Sequence, residues 1–391
     1  MSLITKKHIV LVSETYLPLV GGAEMYTYNF LKQLTSQGYT ATVITHSEGN
    51  IPEQFIIPSV TILCIPKANK ANIFGVLRNM LIIWRNTNTV DFVCANYTYS
   101  LSTLAAIICF VRRRKLLVFA HGLGTIIDIT HPRIYYVYRY ISLSLAYRVV
   151  TTSEEIADIV KKYTRHVIVA TAVDFTTLDL QYNQATVQAI QTQYPGKKII
   201  VTIRRLVEKN GIQFLIEMIP YLTKHRKDII FLIIGDGRLR LILEQRVQQL
   251  NIEEYVIFVG VKNNDEVFNY IKSASVVIFP SSAEALSLAA IEVMHAQVPI
   301  VVSTIGGLRE LIGADETRGT GMDIFGRYES IYTPPDPTYI SEETYAKCAN
   351  IIDSTLDSNP EIAQKIATAK EYVDTTFDWK LVVKDILAFL G

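Results

Sequence analysis

The sequence predicts an α/β protein made of two doubly wound parallel-sheet domains. Three observations carry that expectation. The chain has 391 residues, enough for two domains of ordinary size. Short β-branched runs alternate with longer amphipathic stretches almost from end to end. A polar, Gln-rich stretch from about residue 176 to residue 197, carrying Pro195-Gly196, divides that alternation into halves of similar size.

Strands are expected over residues 8–13, 40–45, 61–65, 92–95, 116–120 and 149–152. After the break they resume over 198–202, 229–234, 256–259, 275–279, 300–303 and 330–332. These runs are apolar throughout rather than alternating, as parallel strands covered by helices on both faces must be. Amphipathic stretches such as 23–37 and 134–147 supply covering helices, and a last helix is expected over 378–390, opening within Phe377-Asp378-Trp379. No short-period repeat or low-complexity segment interrupts the pattern. The first domain is expected over 1–180 and the second over 181–370. Open parallel sheets bind ligands beyond the carboxyl ends of their strands, so the expected active site is the cleft between the halves.

Composition excludes several classes. Hydrophobic residues at 49% and charged ones at 19% rule out extended disorder. Mean hydropathy of +0.23 calls for a search for membrane spans. The longest apolar run, 101–111, falls far short of the ~20 residues a span needs and meets Arg112-Arg113-Arg114-Lys115. The run 73–84 is broken by Arg78 and Asn79, and 8–12 is too short for a signal-peptide core. A cytoplasmic protein with no spanning segment is expected. Cys64, Cys94, Cys109 and Cys348 are scattered with no C-x-x-C, which reads as free thiols. With 38 Lys+Arg against 37 Asp+Glu, the formal charge of +1 offers no argument for a nucleic-acid partner.

Several stretches could carry chemistry. After the first strand comes Tyr16-Leu17-Pro18-Leu19-Val20-Gly21-Gly22-Ala23-Glu24, then a helix. Paired glycines there let backbone N–H groups approach an anion; an ordinary strand–helix turn would look the same. A G-x-G-x-x-G fingerprint is absent, which argues against a dehydrogenase. Arg204-Arg205-Leu206-Val207-Glu208-Lys209-Asn210-Gly211 follows the first strand of the second half and reads as a diphosphate clamp or as exposed loop charges. Gly235-Asp236-Gly237 and Gly306-Gly307-Leu308-Arg309-Glu310 are further strand-to-helix turns. Glu284 is expected in a loop and Glu292 about two turns into the next helix, positions suited to ligand hydroxyls, with small Ser287 opening access to backbone amides. His121-Gly122 follows the strand 116–120 at the expected cleft edge, although a lone His is more often structural. The other six histidines have no metal-ligand spacing and no Asp-x-Asp occurs, so no metal is expected.

Taken in order, these stretches resemble the retaining glycosyltransferases of family four, of the two-domain GT-B type. The likeness runs from Gly21-Gly22-x-Glu24 through His121-Gly122, Arg205, Gly235-Asp236-Gly237, Glu284, Glu292 and Gly306-Gly307-x-x-Glu310 to Pro334-Pro335-Asp336-Pro337. It implies metal-independent transfer of a hexose or N-acetylhexosamine from a nucleotide-diphosphate sugar (UDP-sugar first, GDP-mannose next), with the nucleotide sugar as substrate and no cofactor. It implies that backbone at Gly22 nears the donor phosphate and that Arg205, with Lys209 or Arg204, neutralises the diphosphate. Glu292 would take the ribose hydroxyls, Glu284 the donor sugar, and the Ser287 and Leu288 amides the sugar or phosphate. His121 would lie near the reacting carbon and Gly260-Val261-Lys262 beside the base. The last helix, within 371–391, would cross back to the first domain. The sequence departs from the pattern in having Arg204 where glycine is usual, Asn210 where the clamp lysine is usual, and Ser287 for a glycine. A GT-B epimerase or phosphorylase, and a donor-binding protein without activity of its own, are the alternatives.

The neutral total hides an asymmetry. Residues 1–175 carry 17 Lys+Arg and 10 Asp+Glu, or +7, and residues 176–391 carry 21 and 27, or −6. In the basic half, Lys67, Lys70, Arg78 and Arg85 flank the apolar run 73–84, and Arg133, Arg139 and Arg148 accompany Tyr135, Tyr136, Tyr138 and Tyr140. This pattern fits either a core-facing helix with solvated charges or peripheral contact with an anionic membrane. The expected acceptor is lipid-linked or a polysaccharide.

Overall fold

The structure, a computed structural model, describes residues 7–18, 22–47, 49–67, 73–96, 100–121, 133–326, 334–357 and 359–391. Gly21, Lys70, Gly122 and the expected strand over 330–332 lie outside these residues, as do the side chains of Arg133 and Tyr135. The chain forms two units, Met1–Ala172 with Trp379–Gly391, and Val173–Asp378.

The first unit is a seven-stranded parallel sheet. Its strands are β1 (His8–Ser13), β2 (Thr40–Thr45), β3 (Val60–Cys64), β4 (Phe92–Asn96), β5 (Leu116–Ala120), β6 (Arg148–Thr151) and β7 (Val167–Val169). They lie in the order β3-β2-β1-β4-β5-β6-β7. Every residue of β4 and β5 is buried, which is why their sequences show no alternation. The chain builds outward from β1 to β3 and then returns to β4 on the other side of β1, so the switch point lies between β1 and β4. Crossovers are made by α1 (Gly22–Ser36), α2 (Ile73–Asn86), α3 (Ser100–Arg112), α4 (Arg133–Ser144) and α5 (Glu154–Val160).

On one face of this sheet, Phe30, Leu31 and Leu34 of α1 share a core with Leu11, Cys94, Leu117 and the chain's last helix, Trp379–Leu390. The carbonyls at that helix's end meet cations: Lys115 Nζ donates to Leu390 O at 2.8 Å and Arg148 Nε to Phe389 O at 3.0 Å. Both groups satisfy the negative end of a helix dipole. Arg148 is therefore committed to the fold and not to the aromatic surface with which the sequence groups it.

The second unit holds β8 (Lys198–Ile203), β9 (Ile229–Ile234), β10 (Val256–Gly260), β11 (Val276–Phe279), β12 (Ile300–Ser303) and β13 (Thr320–Met322), all parallel, in the order β10-β9-β8-β11-β12-β13. Its switch point lies between β8 and β11. Separate apolar cores cover its two faces, one around Phe214, Leu215 and Phe231, the other around Phe268, Ile291 and Val373. The Gln-rich stretch is not a bare linker. It folds as α6 (Phe175–Gln181) and α7 (Gln184–Thr192), capped by Asp174 and Asn183 side chains that accept from Thr177 N (3.1 Å) and Thr186 N (3.0 Å). Phe175, Leu178, Val187 and Ile190 are buried, so a sparse apolar stripe suffices to dock both helices.

The remaining helices of this unit are α8 (Ile212–Thr223), α9 (Arg240–Gln249), α10 (Asn264–Ser273), α11 (Leu288–His295), α12 (Gly306–Ile312), α13 (Glu342–Leu356) and α14 (Pro360–Thr376); the last helix of the chain is α15 (Trp379–Leu390). Residues 371–376, which the sequence groups with the last helix, instead finish α14, whose Ala369 and Val373 pack in the second unit. Strands β7 and β13 escape the sequence pattern because each has three residues and depends on pairing with a neighbour, β6 and β12 respectively. All four cysteines are free; burial pushes the Cys109 thiol to about 12 and Cys348 to about 11.

Candidate functional site

The loops at the carboxyl edge of β8 and β11 straddle the second unit's switch point, where ligands of doubly wound sheets bind. Glycines bring these loops into backbone contact. A Cβ on Gly235 would stand 2.0 Å from the Arg204 carbonyl, one on Gly237 2.4 Å from that of Leu206, one on Gly211 1.9 Å from that of Pro280, and one on Gly307 1.9 Å from that of Ala285. Gly235 and Gly211 also have φ of +131° and +74°. The loops after β8, β9 and β11 and the start of α12 are thereby joined.

Within that frame Asn210 turns inward and its Nδ2 donates to Arg205 O at 2.7 Å. Asn210, where the resemblance leads one to expect a lysine, thus fixes the Arg204–Gly211 loop from within. Ser282 N donates to Lys209 O at 2.8 Å, tying the same loop to the one after β11. Among the described residues, the side chains of exposed Arg205 and half-buried Lys209 have no polar partner. Both cations remain available to a ligand.

Arg204 behaves differently. Its Nη1 donates to Glu284 Oε2 at 2.8 Å, with the two side chains only 10% and 14% exposed. The guanidinium lies over the Phe279 ring, 4.6 Å from the centroid. The sequence brings Arg204 to the diphosphate and Glu284 to the sugar; the structure joins them to each other.

Helix α11 carries the second glutamate. Ser287 is its N-cap, with Oγ accepting from Ala290 N at 3.3 Å, and the first amides, Leu288 included, have no intrahelical acceptor. Glu292 is the fifth residue of the helix, just over one turn in rather than two. Burial without a counter-charge pushes its carboxyl up to about 7. At its other end α11 is anchored by His295, a residue the sequence does not single out. Its ring is buried against Phe175 (4.1 Å between centroids), with Nδ1 2.6 Å from Asp374 and Nε2 3.1 Å from Asp179. No local signal could reveal this, because the partners lie 79 and 116 residues away.

Three expected contacts are less prominent. Lys262 pairs with Glu266 at 3.2 Å, Val261 is exposed, and Gly260 O accepts from Gly235 N at 2.8 Å. Pro334, Pro335 and Asp336 line a cavity of about 560 Å³ between α8 and α9, together with Leu243, Arg246 and Glu208 of the loop after β8. Asp336 there accepts from Thr338 N at 2.9 Å, a local turn contact.

In the first unit Gly22 opens α1, and among the described residues nothing lies within 4 Å of where a Cβ would stand. Glu24 accepts from Thr15 Oγ at 2.5 Å and so secures the turn. Glu14 caps α3, accepting from Ser100 Oγ at 2.7 Å and Leu101 N at 2.8 Å. His121 follows directly after β5, its ring 4.6 Å from Tyr26 and stacked 5.8 Å from Phe119. Burial pulls its pKa down to about 3, so its imidazole is neutral at physiological pH. Tyr26 in turn rests on Trp379 of α15 (4.8 Å), which supports the His121 layer.

Both units match known protein families. Residues 183–323 match the family described as glycosyl transferases group 1, and residues 20–175 match glycosyltransferase family 4. An uncharacterized glycosyltransferase of Methanocaldococcus jannaschii is 38% identical over 117 residues, 30% of this chain and 30% of that protein. One component of the human phosphatidylinositol N-acetylglucosaminyltransferase is 24% identical over 338 residues, covering 79% of this chain and 64% of that protein. The chain therefore spans less than two thirds of the length of both. The HepE protein of Anabaena, crystallised with UDP, superposes with a TM-score of 0.77 at 17% identity, covering 98% of this chain and 99% of that one.

Proposed function

Since this chain belongs to the glycosyl transferases of group 1, with the GT-B fold, we propose that it is a retaining hexosyltransferase. It moves a hexose or N-acetylhexosamine from a nucleotide-diphosphate sugar to a lipid-linked or polysaccharide acceptor, without a metal. The observation that carries this reading is a pair of cations, Arg205 and Lys209, without polar partners among the described residues, on the loop after β8 that Ser282 N ties to the loop leading into α11 at the β8/β11 switch point. Departure of a nucleoside diphosphate develops negative charge, and prepositioned cations and helix amides stabilise it best. UDP is the favoured nucleotide because the structural neighbours were crystallised with UDP and UDP-glucose. Neutral His121 suits the sugar side, where it can hydrogen-bond without adding charge. No enzymic nucleophile is evident, so the acceptor attacks from the face the diphosphate leaves. UDP release from UDP-glucose, followed with and without candidate acceptors, tests the reading; absence of turnover with UDP- and GDP-sugars across a broad acceptor panel would overturn it.

Glu292 should make donor binding depend on pH. As a carboxylate it accepts from both ribose hydroxyls; once protonated it loses part of that capacity. Nucleotide affinity should therefore rise as pH passes upward through about 7. Glu292→Ala should weaken binding by roughly 1–3 kcal/mol and flatten that dependence. Stability follows the opposite course. The folded carboxyl keeps its proton to about 7, where an exposed glutamate titrates at 4.5, so unliganded protein should lose stability as pH rises across that window. Calorimetric titrations at pH 6, 7 and 8 check the affinity; a pH-independent affinity removes Glu292 from the ribose.

The membrane reading draws on α2. Ile73, Phe74, Leu77, Leu81 and Trp84 form an exposed stripe at helical spacing, Phe74 being 80% exposed. Arg85 is exposed beside it, and Arg112 stacks on Trp84 at 3.8 Å. On α4, Tyr136 and Tyr140 are exposed with Arg139 against Tyr136. Among the described residues no helix is long and apolar enough to cross a membrane, so contact of this kind is peripheral. The protein should cosediment with vesicles containing anionic lipid, less so at high salt, and Phe74→Glu should abolish it. Cosedimentation indifferent to lipid charge and salt would exclude the electrostatic attachment.

A further inference from the structure

Arg204 is nine-tenths buried, yet only one of its three nitrogens is engaged. Nη1 donates to Glu284 Oε2 at 2.8 Å and one face of the plane rests on Phe279. Nε and Nη2 are buried and have no partner among the described residues. Those two N–H groups lie along one edge of the guanidinium, parallel and spaced to meet two oxygens of a single carboxylate or phosphate. Leaving charged donors buried and unpaired is unfavourable, so an empty fork of this kind is a seat for something that arrives.

The seat is fixed in place. Arg204 N donates to Ile234 O at 2.9 Å, and its carbonyl is held against Gly235. Thr202 Oγ1 and Ser281 Oγ, near the same ends of β8 and β11, are likewise buried with no partner among the described residues. The local charge favours an anion. Glu284 is already neutralised by Nη1, and Arg205 and Lys209 of the same loop have no polar partner among the described residues. Arginine suits the task where lysine would not, since only the planar fork binds an oxyanion through two parallel hydrogen bonds.

We propose that the Arg204 fork seats an oxyanion of the donor next to Glu284, and so selects donors that carry charge at that point. The inference rests on the donor reading above. A carboxylate on the transferred sugar, as in a nucleotide hexuronate, and the distal phosphate of the diphosphate share this chemistry.

Calorimetric titration of wild type, Arg204→Lys and Arg204→Gly with UMP, UDP, UDP-glucose and UDP-glucuronate separates the two sources. The lysine variant keeps the charge and loses the fork. A drop of roughly tenfold to hundredfold for UDP-glucuronate alone places the sugar carboxylate on Arg204. An equal drop for UDP, UDP-glucose and UDP-glucuronate, with UMP unchanged, places the distal phosphate there. Variants that melt cooperatively and bind all four ligands as wild type does would overturn the inference while leaving the donor reading intact. Wild type that binds neither uridine nor guanosine diphosphate overturns the donor reading and this inference with it. Should both variants unfold, the Arg204 Nε–H resonance of wild type decides: a shift with UDP-glucuronate or UDP upholds the seat, and an unmoved resonance with bound nucleotide overturns it.

Discussion

Arg205→Ala should lower turnover by roughly a hundredfold to a thousandfold while weakening donor binding far less. The reason lies in when the charge appears. In the bound donor the diphosphate charge is shared with the sugar linkage; as that bond breaks, a full additional charge develops on the leaving group. A cation that waits unpaired at the correct place gains most of its interaction at that moment. Arg205 meets this description, because its carbonyl is held by Asn210 and its side chain makes no polar contact among the described residues. Removing it should leave the fold intact for the same reason. Lys209 should show a smaller loss in the same sense, and the double variant should fall short of the product of the two, since the cations act on one charge. Steady-state UDP release from UDP-glucose measures all three; wild-type turnover in Arg205→Ala would remove the clamp from the mechanism.

Gly235→Ala should destabilise the second unit by about 3–5 kcal/mol. Two effects coincide there. The φ of +131° is strained for any L side chain, and the new Cβ would stand 2.0 Å from the Arg204 carbonyl. Backbone cannot yield as the end of a flexible side chain can, so β8 and β9 must part at their carboxyl ends. The displacement reaches Arg204 and Arg205 directly. Donor affinity should therefore fall even at temperatures where the variant remains folded. Gly22→Ala is the control, since among the described residues nothing lies within 4 Å of its Cβ direction, and its melting should match wild type. Thermal unfolding with and without UDP reads both effects; a Gly235→Ala protein that melts with wild type would show that this contact does not constrain the site.

Much of the architecture is legible in sequence because buried parallel strands leave a signal of their own. Runs such as HIVLVS and IIFLII have nearly every residue inside, and their observed bounds, His8–Ser13 and Ile229–Ile234, coincide with the apolar runs. Strands of three residues give no such run. The helices α6 and α7 are hidden by glutamines because two buried residues apiece dock each of them. Site residues on strand-to-helix turns are recognisable by type and spacing. Their pairings are not: Arg204 and Glu284 lie 80 residues apart, and His295 reaches Asp374 and Asp179 across 79 and 116.

From sequence alone came the two parallel-sheet halves, the positions of the Gly-rich turns and the residue types able to hold a nucleotide sugar, since burial and backbone conformation write themselves locally. The tertiary structure decided which of those charges are free. Arg204 and Arg205 are chemically identical neighbours in the chain, yet one is buried over Phe279 against Glu284 and the other stands open. Exposure separates them: the Arg204 side chain is 10% exposed, whereas Arg205 is open to solvent. What each then meets is set by loops that glycines bring together from distant parts of the chain.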